Sequence, residues 1–242
     1  MPEPFSFGHL AGSRRFRAQL GLLQQPHAET PEYAEQIDDV LRLLAGTYVA
    51  DGVVPIEVVP GQGADVEVWI LGSSGGESAE VAGRRGLPFA ANYHVSPSSV
   101  LEAVDGYRDA FRPGRLTQPR VLVSADVVVA PTDVEARRLA SGYGLWVRSI
   151  RSGEGAIPFP SPEEAARHRW TDADRELVRD RVETQFVGSP STVTDQLEVL
   201  AAETAADELL VTTITHRHED RLRSYDLLAD EWARRRTVAK AS

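Results

Sequence analysis

At 242 residues the chain can build one large domain or two small ones. A hydrophobic share of 42% and a charged share of 26% are those of a globular protein and exclude wholesale disorder. Lys plus Arg is 26 and Asp plus Glu is 36, a formal charge of −10 that argues against nucleic acid or an anionic membrane as the main partner; the lack of cysteine excludes disulfides, thiolate metal sites and cysteine nucleophiles.

Residues 1–29 read as an irregular segment rich in Gly, Pro, Arg and Gln. They lack the compact apolar core of a secretion signal, and no stretch reaches membrane-span length, so a soluble cytoplasmic protein is expected. Arg14, Arg15 and Arg17 could meet a phosphate or lie on a solvated surface. A helix is predicted from Thr30-Pro31-Glu32, with Tyr33, Ile37, Val40, Leu41 and Leu44 at helical spacing and Gly46 as its stop. Pro55 makes residues 53–59 an edge strand or a loop arm.

Val66–Leu71 is a short apolar run that ends in a Gly/Ser turn and a helix over 78–85, the first half of a βαβ unit. A second buried run, 89–93, follows at a spacing that suits a parallel crossover. Ser98 and Ser99 open a helix with Val100, Leu101, Val104, Tyr107 and Phe111 on one face. Residues 119–129 form the strongest strand, and Thr132-x-x-Glu135 is a capping box for a helix carrying Leu139, Tyr143, Trp146 and Ile150. Residues 151–187 break the rhythm and read as an insertion, a short helical hairpin. A helix with Val193, Leu197 and Leu200, a strand at 208–214 and a last helix with Leu222, Tyr225, Leu228 and Trp232 complete the chain. Strand alternating with helix implies a parallel α/β sheet, open or barrel-shaped, in a single domain over 1–242. Four convincing core strands, all after residue 65, are half of a full barrel.

Function in such folds sits at the carboxyl ends of the strands. Ser73, Ser74, Gly75, Gly76 and Ser78 fall at one of them. Exposed N–H groups, hydroxyls and close backbone approach suit a phosphate there, while Ser74-x-x-Glu77 could equally be a capping box that needs no ligand. Asn92 and His94 fall at the next strand end. His94 could be a general base, could hydrogen-bond a ring carbonyl, or could be satisfied by backbone. His216 and His218 open a charged helix start without a third ligand, so no metal site is expected. Ser124 and Asp126 lie in a strand with no histidine at telling spacing, and no G-x-S-x-G supports a serine hydrolase.

Several separated motifs then carry a resemblance. Trp69-Ile70-Leu71-Gly72-Ser73-Ser74, Ser78-Ala79, Gly86-Leu87-Pro88-Phe89-Ala90 and Phe111-Arg112-Pro113 occur in order. They are followed by Thr132-x-x-Glu135-Ala136, Val187-Gly188-Ser189-Pro190, Asp207-Glu208-Leu209 and Arg221–Ala229. Over roughly residues 30–235 the chain resembles the bacterial luciferase-like monooxygenases. The resemblance implies a (β/α)8 TIM barrel, present as its C-terminal strands and helices. It implies an oxidoreductase that uses reduced FMN, supplied by a separate flavin reductase, and O2 to oxidise a small organic substrate. The deazaflavin F420 is the alternative coenzyme, and a non-catalytic flavin-binding or assembly subunit the alternative role. Ser73, Ser74, Gly75, Gly76 and Ser78 would hold the flavin phosphate, with Ser74 and Ser78 foremost, and Asn92 and His94 would meet the ring or substrate. Family members usually extend further at the N-terminus, with the first strands, part of the ring pocket and a catalytic histidine. A truncated or late-started form, covered by a homo- or heterodimeric partner, is the corresponding expectation.

Overall fold

The computed structural model describes residues 32–50, 54–153 and 155–241. The irregular start over 1–29, the Thr30-Pro31 helix signal and the arginines at 14, 15 and 17 lie outside the described residues. The chain divides into two units, residues 1–89 with 103–120, and 90–102 with 121–242.

In the first unit, helix α1 (Tyr33–Ala45) buries Ile37 and Leu43. Gly46 ends it as expected, at a φ of 71° that glycine adopts without strain. β1 (Val49–Ala50) and β2 (Val54–Pro55) are short antiparallel arms, in keeping with Pro55. The run at 66–71 becomes strand only as β3 (Ile70–Gly72). Its first half is instead drawn into a clamp. The Arg120 guanidinium lies 5.0 Å from the Trp69 ring centroid and 2.5 Å from Glu67, while the Trp69 indole N–H donates to Glu67 (2.9 Å). Helix α2 (Glu77–Arg84) follows, then β4 (Phe89–Ala91) and, after a 3₁₀ turn at Pro97–Ser99, helix α3 (Val100–Ala110). Leu101, predicted on the apolar face of α3, is 48% exposed; Val100, Val104 and Tyr107 define the buried face. The Tyr107 hydroxyl donates to the Leu87 carbonyl (2.9 Å) and accepts from the Arg120 N–H (3.1 Å), and its ring stacks on Phe89.

The second unit is organised by β5 (Val121–Val129), in which every residue but Leu122 is buried. The helix behind it starts at the expected Thr132, which accepts from the Glu135 N–H without the reciprocal bond of a capping box, and it breaks in two: α4 (Asp133–Ala140) and α5 (Tyr143–Arg151). The break falls at Gly142, where a Cβ would meet the Pro160 carbonyl oxygen at 2.5 Å. Ile150 is correspondingly exposed. Residues 162–183 hold α6 (Pro162–Arg167) and α7 (Asp172–Glu183), each opened by a reciprocal capping box. A strand not expected from the sequence, β6 (Phe186–Gly188), pairs parallel with β5, Val127 to Phe186 through Val129 to Gly188. Helix α8 (Pro190–Thr204) buries Val193, Leu197 and Leu200 as predicted. β7 (Glu208–Thr212) then pairs parallel with β5, Leu122 to Glu208 through Asp126 to Thr212. In helix α9 (His218–Ala241), Leu228 is buried and Leu222 is half exposed. Among the described residues, no helix is long and apolar enough to cross a membrane.

Replacing Tyr107 by Phe leaves the Leu87 carbonyl and the Arg120 N–H without this partner while keeping the ring stack. We expect a loss of about 1–3 kcal/mol, read as a lower urea midpoint at an unchanged slope.

Candidate functional site

The serine–glycine turn belongs to the first unit, between β3 and α2. Gly76 is the N-cap of α2 and no side chain caps it, so the expected Ser74-x-x-Glu77 capping box does not form. By helix geometry the first-turn N–H groups of α2 have no partner within the helix. Ser78, on that first turn, sets its Oγ against the end of β3: a Cβ on Gly72 would run into it and would lie 2.9 Å from the Phe89 ring. Ser74 is exposed, and its Oγ lies 3.4 Å from where a Gly76 Cβ would stand. The turn is braced from below, since a Cβ on Gly106 of α3 would come within 3.0 Å of the Gly75 backbone. A hollow of about 370 Å³ beside Gly75 and Gly106 carries Arg84, Arg112, Glu80 and Asp109. Its arginines are engaged, Arg84 with Glu80 (2.7 Å) and Arg112 with the Phe111 carbonyl (2.7 Å). The turn itself offers an anion the hydroxyls of Ser74, which is exposed, and Ser78, which is half-buried, together with N–H groups of the first helical turn. They suit a phosphate, with Glu77 exposed to solvent.

Asn92 and His94 belong to the second unit. The Asn92 carbonyl accepts from the N–H groups of Val95 (3.1 Å) and Ser96 (3.0 Å), which closes the turn after β4. His94 is tied to β5 twice: its N–H donates to the Ser124 carbonyl (3.2 Å), and its Nδ1 lies 2.5 Å from Ser124 Oγ. The histidine that the sequence does not place near Ser124 comes from another strand end. Asp126, two residues further on the same strand, accepts from the hydroxyls of Thr212 and Tyr143, the latter at 2.7 Å. Arg181 donates to the Tyr143 hydroxyl (2.9 Å) and stands 3.7 Å from the Asp126 carboxylate. Burial, then the Asp126 charge, push the Tyr143 phenol well above its ordinary range, so it is a hydrogen-bond donor and not an acid near neutrality. Burial likewise lowers the His94 pKa, with Asp126 opposing and Arg181 assisting. Sequence reasoning missed Tyr143, Arg181 and Thr212 as partners; the available signal was a Ser and an Asp inside an apolar strand. His216 and His218 are spent elsewhere, with Nδ1 atoms at 2.9 Å from the Phe159 carbonyl and from Arg221 respectively.

Comparison with known proteins gives the family and the fold. A family model described as luciferase-like monooxygenase matches residues 12–208. The Bacillus subtilis (strain 168) protein YvbT is 35% identical over 182 residues, 74% of this chain and 53% of its own length. A luciferase-like monooxygenase of Escherichia coli (strain K12) is 31% identical over 176 residues, 72% of this chain and 52% of its own length. Among solved structures, apo-MsnO8 matches with a TM-score of 0.71 and 33% identity over 85% of this chain and 61% of that one. The chain spans about half the length of the curated relatives it matches. The fold is of the α/β, TIM-barrel type expected from the sequence.

Because folding depresses the His94 pKa below its ordinary value of 6.5, the unfolded chain takes up the proton first as pH falls. The stability contributed by neutral His94 is therefore complete above that value and is lost below it. Urea midpoints at about pH 7.5 and about pH 5.5 should differ more for the wild type than for His94→Gln; equal differences would remove His94 from this role.

Proposed function

The chain belongs to the luciferase-like monooxygenase family, and from that premise we propose that it is a flavin-binding oxidoreductase chain that uses reduced FMN and O2 to oxidise a small organic substrate. The observation that carries this reading is the turn at 73–78. It joins an uncapped helix start to serine hydroxyls, one of them set over a strand end by the missing side chain of Gly72. Ser74 and Ser78 would donate hydroxyl protons to phosphate oxygens, and the first-turn N–H groups of α2 would add to them with the helix dipole behind. Gly75, seated on Gly106, would hold the turn rigid so that little ordering is needed on binding.

When bound, reduced FMN supplies the two electrons that let one atom of O2 enter the substrate while the other leaves as water. The residues of this chain bind and orient. Asn92 and His94 are assigned polar contacts to the ring or the substrate, His94 as a neutral hydrogen-bond acceptor or base. A separate flavin reductase is assigned as electron source. A second subunit, identical or related, is assigned as the cover for β7, whose residues are half-buried or exposed where β5 is buried.

Titrating the purified chain with FMN, reduced FMN, riboflavin and F420 tests the reading. FMN in either redox state should bind saturably and at least about ten-fold more tightly than riboflavin, which lacks the phosphate. Ser78→Ala should weaken FMN by about ten-fold and leave riboflavin unchanged. Equal affinity for FMN and riboflavin would remove the turn from the site, and tighter binding of F420 would change the coenzyme. Replacing Gly72 by Ala should displace the Ser78 hydroxyl and reduce FMN affinity at least as much as Ser78→Ala, with the far-ultraviolet circular dichroism spectrum as the check that the fold is kept.

A further inference from the structure

Ser124 gives His94 two fixed points. Its carbonyl takes the His94 N–H and its hydroxyl sits 2.5 Å from Nδ1, in a position where Ser124 is only 2% exposed and water does not compete. The hydroxyl proton has two acceptors in reach: Nδ1 itself and the Ala91 carbonyl oxygen at 3.4 Å. With the proton on the Ala91 side, Ser124 Oγ accepts from Nδ1–H and both contacts of the hydroxyl are used. With the proton on the Nδ1 side, the contact to Ala91 is lost and Nε2 must carry the ring proton.

Electrostatics decides between the two. Asp126 projects from the same face of β5 as Ser124, two residues on, so Nδ1 points toward a strand face that carries a carboxylate. A negative charge there favours the ring proton on the nitrogen nearer the strand. Arg181, 3.7 Å from that carboxylate, offsets its field, and burial disfavours a second proton on the ring. Among the described residues, Nε2 makes no hydrogen bond.

We propose that Ser124 is a positioning residue that holds His94 in the Nδ1–H tautomer, so that the Nε2 lone pair is presented at the end of β4 to an O–H or N–H group of the reactant. The part played by the reactant rests on the flavin-enzyme reading; the tautomer does not.

The test reads the tautomer directly on the full chain, without coenzyme. Imidazole proton–nitrogen correlation spectra of nitrogen-15-labelled protein distinguish a protonated ring nitrogen from one with a lone pair. His94→Gln identifies which of the six histidine patterns belongs to His94. The wild type should show Nδ1 protonated and Nε2 bare above pH about 7. Ser124→Ala should lose that preference and give a mixture of the two forms, with the remaining histidines unmoved. Asp126→Asn should lower the pH at which His94 takes up its second proton, and Arg181→Gln should raise it. A wild-type ring protonated on Nε2 would overturn the proposal, and that result is available even if Ser124→Ala does not fold. An unchanged tautomer in a folded Ser124→Ala chain would overturn it as well. Failure of FMN to bind in the titrations above would leave these spectra untouched, so the two readings fail separately.

Discussion

A strand that water cannot reach must have every polar group answered from within, and β5 is that strand. Its N-terminal end is closed by Asp207, whose carboxylate accepts from the Val121 N–H (2.8 Å) while its own N–H returns to the Val121 carbonyl (2.9 Å). At the other end the Val129 N–H donates to Ser224 Oγ (2.9 Å). In between, Ser124 and Asp126 place a hydroxyl and a carboxylate in the interior. Leaving either unpaired would cost about 1–3 kcal/mol, more for the charge, which is a large part of the stability of an ordinary domain. His94, Tyr143 and Thr212 answer those two groups, with Arg181 behind them. The polar cluster of the second unit is thus a consequence of the strand that runs through it.

The first unit solves a different problem. In the second unit α4, α6, α7 and α8 all begin on a Ser or Thr whose hydroxyl accepts a backbone N–H. Helix α2 begins on Gly76, which has no side chain to cap with. The glycines around it permit close contacts, Gly72 with Ser78 and Gly106 with Gly75, that any side chain would prevent. The hydroxyls of Ser74 and Ser78 stand beside this helix start over closely packed backbone.

What could be read from the sequence follows from range. Gly46 as a helix stop, Thr132 as a cap, the apolar positions of α8 and the run that becomes β5 are local signals, and the chain obeys them. The strand expected over 66–71 shrinks to three residues because Arg120, distant in sequence, captures Trp69 and Glu67. The helix expected to run past 140 breaks at Gly142, where the Pro160 carbonyl, distant in sequence, packs so closely that only glycine fits. β6 has too few residues to show a period. The contact between His94 and Ser124 has no local signature, yet a lone serine and aspartate in a valine-rich strand already require partners. Asking where such groups find their hydrogen bonds is the step that would have joined the two halves of this cluster.

The closure of β5 by Asp207 also governs how the polypeptide reaches its final form. The two residues are 86 positions apart, so on the ribosome β5 emerges well before the strand that flanks it. Until then the stretch of β5 that β7 will pair, Leu122 to Asp126, keeps an edge of unanswered peptide groups that is a template for neighbouring nascent chains. Pairing across so long a separation is slow because the entropy of closing the loop is met before any contact rewards it. The last edge of the central strand is thus completed only by a late, long-range closure, the kind of step at which aggregation competes with folding.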